Sequence, residues 1–308
     1  MPTCCATPLV AAFGRAVHGC GGPAEVESVQ PASTVSRMKS NSRFEVATEA
    51  ALRRALVSGV IASVVLAGII GLILIFTVGV LLGLVVGVVL FVGASAGWML
   101  YVQSAFGDAA SSVLEGGGAA AGEDEYPSFR NALEGVAILT GVRVPALRVL
   151  DHGSANAMVA QGLEEDATVV VTTGLLENCR IVEAEVLAAE LLCRVRDGSA
   201  RYCTLAAGLP GPVRAAAGLD GGAVAALIGD QRAVLGDADA VSVTKYPPGL
   251  IAALERMAQQ GTEVPTAVPD QAPLWIAPAV GVQRGVSEPV DRSVNQPLDY
   301  RIAVLREL

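Results

Sequence analysis

Residues 181–196 read IVEAEVLAAELLCRVR, and residues 167–176 just before them read ATVVVTTGLL. The first stretch is apolar on nearly every side except for Glu183, Glu185 and its Arg194/Arg196 end, with Glu190 as a lone charge inside it, so it is expected to be a helix at the buried centre of a domain. The second is a short β-branched run closed by a turn, the pattern of a buried strand. ALRVLD at residues 146–151 repeats that pattern. Between the two lie a segment around Asn156 and a polar turn, LEED, at residues 163–166. Pro127 suits the first turn of a helix over PSFRNALEGVAILTG, with Leu133, Val136, Ala137 and Thr140 on one side. Tyr246-Pro247-Pro248 precedes another helix over 249–259. A long loop over 262–297 then leads to an amphipathic C-terminal helix with Ile302 and Leu305 as core positions. Residues 127–308 therefore read as one α+β domain.

The N-terminal part has a different character. Ala55 through Gly107 carry no charge, a run of 53 residues. A membrane span needs about 20 residues at 1.5 Å rise, so the run accommodates a hairpin over 55–104 with spans at 56–76 and 80–101, broken at Phe76-Thr77-Val78-Gly79. Gly79, Gly83 and Gly87 recur every four residues, and Gly93 and Gly97 repeat the spacing, which suits close helix packing in lipid. Trp98 and Tyr101 fit an interfacial aromatic belt. Arg37, Lys39, Arg43, Arg53 and Arg54 precede the first span within a basic segment over 38–54, and the turn holds no Lys or Arg. The positive-inside rule then puts both termini and the globular domain in the cytoplasm. The stretch after the central helix, RYCTLAAGLPGPVRAAAGLDGGAVAALIG, is broken by Pro210, Pro212 and Arg214, so two spans are expected, not four. Residues 105–126, rich in Gly, Ala, Ser and acid, read as a flexible acidic linker. Residues 1–37 show no sustained periodicity and read as a disordered tail, with Met38 as a more natural start.

The net charge of −9 is uneven: +2 over residues 1–104 and −11 over 105–308. An acidic globular part excludes nucleic acid as an expected partner and leaves the bilayer, a membrane protein or an extended peptide. Six cysteines without a paired framework read as reduced thiols on the cytosolic side.

Five pieces in order carry a resemblance to a known family. They are residues 131–162 (NALEGVAILTGVRVPALRVLDHGSANAMVAQG), the VVVTTGLLE strand and turn, the helix from Ile181, residues 232–257 (RAVLGDADAVSVTKYPPGLIAALERM), and the closing PLWIAP and QPLDYRIAVLREL. Together they resemble the zinc metallopeptidases of the HtpX and CAAX-prenyl-protease type. The resemblance implies a zincin-like (minigluzincin) domain with a small β-sheet, membrane attachment of a bacterial inner or plasma membrane kind, and a role in protein quality control. In that family the central helix carries His-Glu-x-x-His, two zinc ligands flanking a general base. The aligned positions here are Ala189-Glu190-Leu191-Leu192-Cys193, and the third ligand position, a Glu in the family, is Ala233.

Glu190 thus stands as a vestigial general base, Ala189, Cys193 and Ala233 as former metal positions, and Asp237 as the residue that in the family supports the metal ligands. No metal and no cofactor are expected. Zinc enters only under an alternative in which Glu190, Cys193 and Asp237 form a rearranged active site. A carboxylate buried at position 190 must find a donor, such as an arginine or a backbone amide. Cys193 reads as a small core filler, since no histidine stands near to activate it, and His152 as a strand-end surface residue. Asn156 and Ala157 match the family's edge strand, whose exposed amides would pair with an extended peptide. The leading reading is a pseudopeptidase that binds protein or peptide segments. A third reading makes the membrane hairpin the working part.

Overall fold

The uncharged run forms two long helices, α1 (Arg43–Thr77) and α2 (Val80–Leu114), in a computed structural model that describes residues 43–77, 79–280 and 295–307. The expected N-terminal tail and the alternative start at Met38 lie outside the described residues. Among those described, α1 and α2 are the two helices long and apolar enough to cross a membrane, with mean hydropathy of 2.8 and 2.5 over their most apolar windows. Leu66, Leu72, Leu81 and Leu84 stand exposed along them, as side chains facing lipid would. Gly79 makes the turn with φ 129°, a conformation that L-residues with a Cβ rarely adopt.

The glycine spacing divides into two kinds. A Cβ added at Gly83 would lie 2.5 Å from Ile75 Cγ1 and 3.0 Å from the Gly71 carbonyl oxygen, so this crossing needs glycine. Gly93 and Gly97 have nothing within 4 Å of such a Cβ and play no part in the crossing. Trp98 holds the lower hairpin together: its Nε1 donates to the Ala55 carbonyl at 2.8 Å, and its indole fills the space over Gly59.

The expected flexible linker is corrected by the structure. Ala105–Leu114 continues α2 as regular helix, with Ala105, Phe106, Ala109, Ala110 and Val113 buried against the globular domain. Small apolar residues, not glycine content, decide this stretch, because they present one packed face at helical spacing. Strand β1 (Ala119–Ala120) follows almost at once, so the hairpin is joined rigidly to the sheet.

The sheet has the order β1-β2-β4-β3, with β2 (Ala146–Leu150), β3 (Ala157–Ala160) and β4 (Thr168–Thr172). β2 and β4 run parallel, and β3 pairs antiparallel with β4 in the register Ala157↔Val171. Helix α3 (Pro127–Thr140) buries Leu133, Val136, Ala137 and Thr140, as its periodicity requires. After the short α4 (Thr173–Asn178), helix α5 (Ile181–Arg196) runs through the centre, with Leu187, Ala188, Ala189, Leu191 and Leu192 fully buried. Residues 199–228 form three short helices, α6 (Ser199–Gly208), α7 (Gly211–Ala217) and α8 (Gly221–Ile228), interrupted where Pro210 and Gly218 stand. Helix α9 (Arg232–Thr244) packs on α5, α10 (Pro247–Gln260) on both, and α11 (Leu298–Arg306) closes the domain with Ile302 and Leu305 buried. The result is an α+β domain of mostly helical content with a small sheet, as the sequence predicts.

Candidate functional site

Three helices bring their charged residues to one buried point. α5 supplies Glu190 and, one turn on, Arg194; α9 supplies Asp237; α11 supplies Arg301. Residues four apart on a helix share a face, which is why Arg194 reaches back to Glu190. Its Nη2 donates to Glu190 Oε1, and its Nη1 donates to the carbonyls of Leu274 at 3.2 Å and Trp275 at 3.1 Å. Arg301 clasps Asp237 with two bonds, Nε to Oδ2 at 2.8 Å and Nη2 to Oδ1 at 2.5 Å. The same Nη2 lies 3.4 Å from Glu190 Oε1, and Nη1 donates to the Ile276 carbonyl at 2.6 Å. Both guanidiniums and both carboxylates are at least 95% covered.

This is a closed cluster of two negative and two positive charges. Each ion would be very costly alone in the interior, and the cluster persists because the charges are paired and the arginines find further acceptors. Within this cluster of four side chains, Glu190 Oε2 is the one buried atom without a hydrogen-bond partner. Burial pushes the Asp237 carboxyl up to about 6, with the Arg301 guanidinium pulling against it.

The other positions singled out in the sequence lie around the cluster. Ala189 and Ala233 are fully buried and contribute methyl groups only. Cys193 is 2% exposed, and burial first, with nearby acidic groups adding to it and Arg196 opposing, pushes its thiol up to about 11. Among the described residues no three His, Cys, Asp or Glu side chains converge as a metal cluster would. His152 lies elsewhere, with its Nδ1 2.8 Å from Ser154 Oγ.

Asn156 and Ala157 are not the exposed edge that the sequence suggests; both are fully buried. The Asn156 side chain donates to the carbonyls of Thr262 and Ala277 at 2.8 and 3.1 Å and accepts from the Ala157 amide at 2.9 Å. On the outer side of β3, the Ile276 amide donates to the Ala157 carbonyl at 2.9 Å, and Trp275 bridges to Met158. Residues 274–277 therefore occupy the position an added strand would take. Carbonyls of this same short segment accept from Arg194 and Arg301, so the strand edge and the charge cluster share one connecting piece.

Arg194 and Arg301 escaped sequence reasoning as site residues. A buried Glu with Arg four residues later was a usable signal for the first. Nothing local tied Arg301, beside the core residue Ile302, to a carboxylate 64 positions earlier.

Comparison with known proteins finds relatives named Protease HtpX homolog. The one from Dictyoglomus turgidum is 28% identical over 217 residues, covering 59% of this chain and 70% of the relative. The Dictyoglomus thermophilum protein is also 28% identical over 217 residues, covering 60% of this chain and 70% of its own length. That of Limosilactobacillus fermentum is 26% identical over 223 residues, covering 60% and 74%. No protein-family model matches the chain, and no solved structure matches it.

Proposed function

Because this chain belongs to the HtpX protease family, we propose that it is a membrane-anchored member in which an internal ion-pair lock has replaced zinc chemistry, and that it binds protein segments without cleaving them. The observation that carries this reading is the pair of guanidiniums, Arg194 and Arg301, on the two carboxylates of the former site, Glu190 and Asp237. A zinc site of this type takes three protein ligands and keeps a fourth position for water. Here Ala189 and Ala233 offer no donor atom, which leaves Cys193 as the one potential ligand among the three positions. A divalent cation would add to positive charge already fixed by two arginines. The residues present do not fit zinc. Glu190 therefore acts as a structural carboxylate, and the alternative site of Glu190, Cys193 and Asp237 lacks a free carboxylate pair.

Binding, in this reading, uses the domain next to the membrane. Arg43, Arg53 and Arg54 at the start of α1 favour a cytoplasmic location for that side, and two spans return the globular domain to it. An extended segment of a partner, such as a membrane protein, would add to β3 by displacing residues 274–277. That displacement would remove the carbonyl acceptors of Arg194 and Arg301, so occupancy of the edge and integrity of the lock are coupled.

The test is metal content by elemental mass spectrometry on the detergent-purified protein, alongside Cys193→Ser. Zinc at background in both is the expected result. Near-stoichiometric zinc that disappears in Cys193→Ser would overturn the reading, and casein hydrolysis abolished by Glu190→Gln would do so independently.

A further inference from the structure

Gly97 plays no part in the helix crossing, but it opens onto a groove. On one flank of the hairpin, α1, α2 and α7 bound a recess of about 560 Å³ lined by, among others, Ser58, Ala62, Leu66, Gly97, Tyr101 and Ala216. That volume lies within the roughly 300–1,000 Å³ of sites that hold small molecules. The indole of Trp98 forms one wall, fixed by its bond to the Ala55 carbonyl. Tyr101 follows one turn on, its ring centroid 5.9 Å from that of Trp98, and is 43% exposed. No lining residue carries a charge, and the hydroxyls of Ser58 and Ser63 are bonded to carbonyls of their own helix, so the groove presents an apolar surface.

Charge stands at one end of it. Arg54 precedes Ser58 and Ala62 at steps of four residues, so the three share one face of α1. Arg54 is exposed, and its Nη1 lies 3.4 Å from the place a Cβ on Gly218 would take, two residues beyond the groove residue Ala216. Among the described residues no carboxylate pairs with it. Leu66 follows Arg54 by twelve residues, about 18 Å along a helix at 1.5 Å per residue, against about 15 Å for half of a 30 Å hydrocarbon core. The groove therefore runs from the last charge before the uncharged stretch to near the middle of a bilayer, the depth of one leaflet.

We propose that this groove holds one acyl chain of an anionic phospholipid whose phosphate is received by Arg54. An uncharged recess that faces lipid is matched by hydrocarbon, and its length matches a chain lying in a single leaflet. The planar fork of a guanidinium fits two oxygens of one phosphate. An anionic headgroup keeps its full charge for Arg54, whereas a zwitterionic one sets its own ammonium against that attraction. Tyr101, at the Arg54 end, suits the headgroup boundary, where an aromatic ring has one side in hydrocarbon and its hydroxyl in the polar layer. A partner helix would fill the apolar recess but would have no use for an exposed arginine at its mouth. This site is separate from the charge cluster at Glu190 and does not depend on the function proposed above.

The experiment uses the full chain in detergent micelles doped with dioleoylphosphatidylglycerol or dioleoylphosphatidylcholine, with bound lipids counted by native mass spectrometry. The first phosphatidylglycerol is expected to bind at least tenfold more tightly than the first phosphatidylcholine. Arg54→Gln should bring the two lipids level, and Gly97→Leu, whose side chain occupies the recess, should weaken both. A Cβ at Gly97 meets nothing within 4 Å and Arg54 is exposed, so both variants should keep the wild-type unfolding temperature in undoped micelles. Equal affinity of the wild type for the two lipids, or a phosphatidylglycerol affinity that neither variant changes, would overturn the proposal. So would a mass of two chains that Gly97→Leu dissolves, which would give the groove to a second copy.

Discussion

Two carboxylates on α5, seven residues and so about two turns apart, meet arginines in opposite surroundings. Glu183 stands at the start of the helix. It accepts two bonds from Arg256, at 2.9 and 3.0 Å, and the Arg180 amide at 3.0 Å, while 30% of the Arg256 side chain reaches solvent. Glu190 stands at the centre, where one oxygen faces two guanidiniums, the other has no partner, and every charge is covered. The outer pair fixes the first turn of α5 and ties it to α10, with water still sharing the charges. The inner cluster must compensate the loss of nearly all hydration by its own contacts, and an apolar core of equal volume would serve stability as well or better. Stability alone does not account for charges at position 190. The function proposed above supplies a reason, a position inherited from a polar catalytic centre with arginines now supplying the positive charge.

The largest test of this contrast removes one member of the inner cluster. Arg301→Met leaves Asp237 clasped by nothing and Glu190 with only Arg194, and the expected loss is about 3–5 kcal/mol, read from the denaturant midpoint of the detergent-solubilised protein. Adding Asp237→Leu to that variant should return much of the loss, because it removes the orphaned charge as well. A double variant as unstable as the single would show that the cost is not one of buried charge, and the comparison would fail. Glu190→Gln is the milder form of the same experiment. It keeps an acceptor for Arg194 but removes the charge assistance, with an expected loss of about 1.5–3 kcal/mol.

The difference between the two carboxylates also marks what a sequence can convey. The strand runs, the buried α5, the hairpin break at Gly79 and the core positions of α3 and α11 are local patterns, and each is legible from spacing. The flexible linker was misread because glycine and acid content was weighed above the helical spacing of Ala105, Phe106, Ala109 and Val113. For the site, the lack of any donor atom in the side chains at 189 and 233 was plain in the sequence, and so was the need of Glu190 for a donor. The identity of that donor was only half legible, since Arg194 is local but Arg301 arrives from another helix. The masking of Asn156 and Ala157 by residues 274–277 was hidden for the same reason: pairing across more than 100 residues leaves no periodicity behind.

The smallest effect belongs to the outer pair, and pH reads it. Burial alone would raise the Glu183 carboxyl, but the bonds from Arg256 and the Arg180 amide outweigh it and hold the group below its ordinary value. A carboxyl with a lowered pKa in the folded state binds its proton more weakly there than in the unfolded chain. Its contribution is therefore present above the unfolded value of about 4.3 and is lost as pH falls through the folded value. Glu183→Gln should cost about 1 kcal/mol or less at pH 7, since a partner that keeps part of its guanidinium side chain in water leaves the pair screened. The gap between wild type and variant in unfolding temperature should then narrow as the pH is taken from 7 to 3.5, and Arg256→Gln should behave alike. A gap that stays constant over that range would mean that Glu183 acts through packing and not through its charge, and the two ends of α5 would differ in kind and not only in burial.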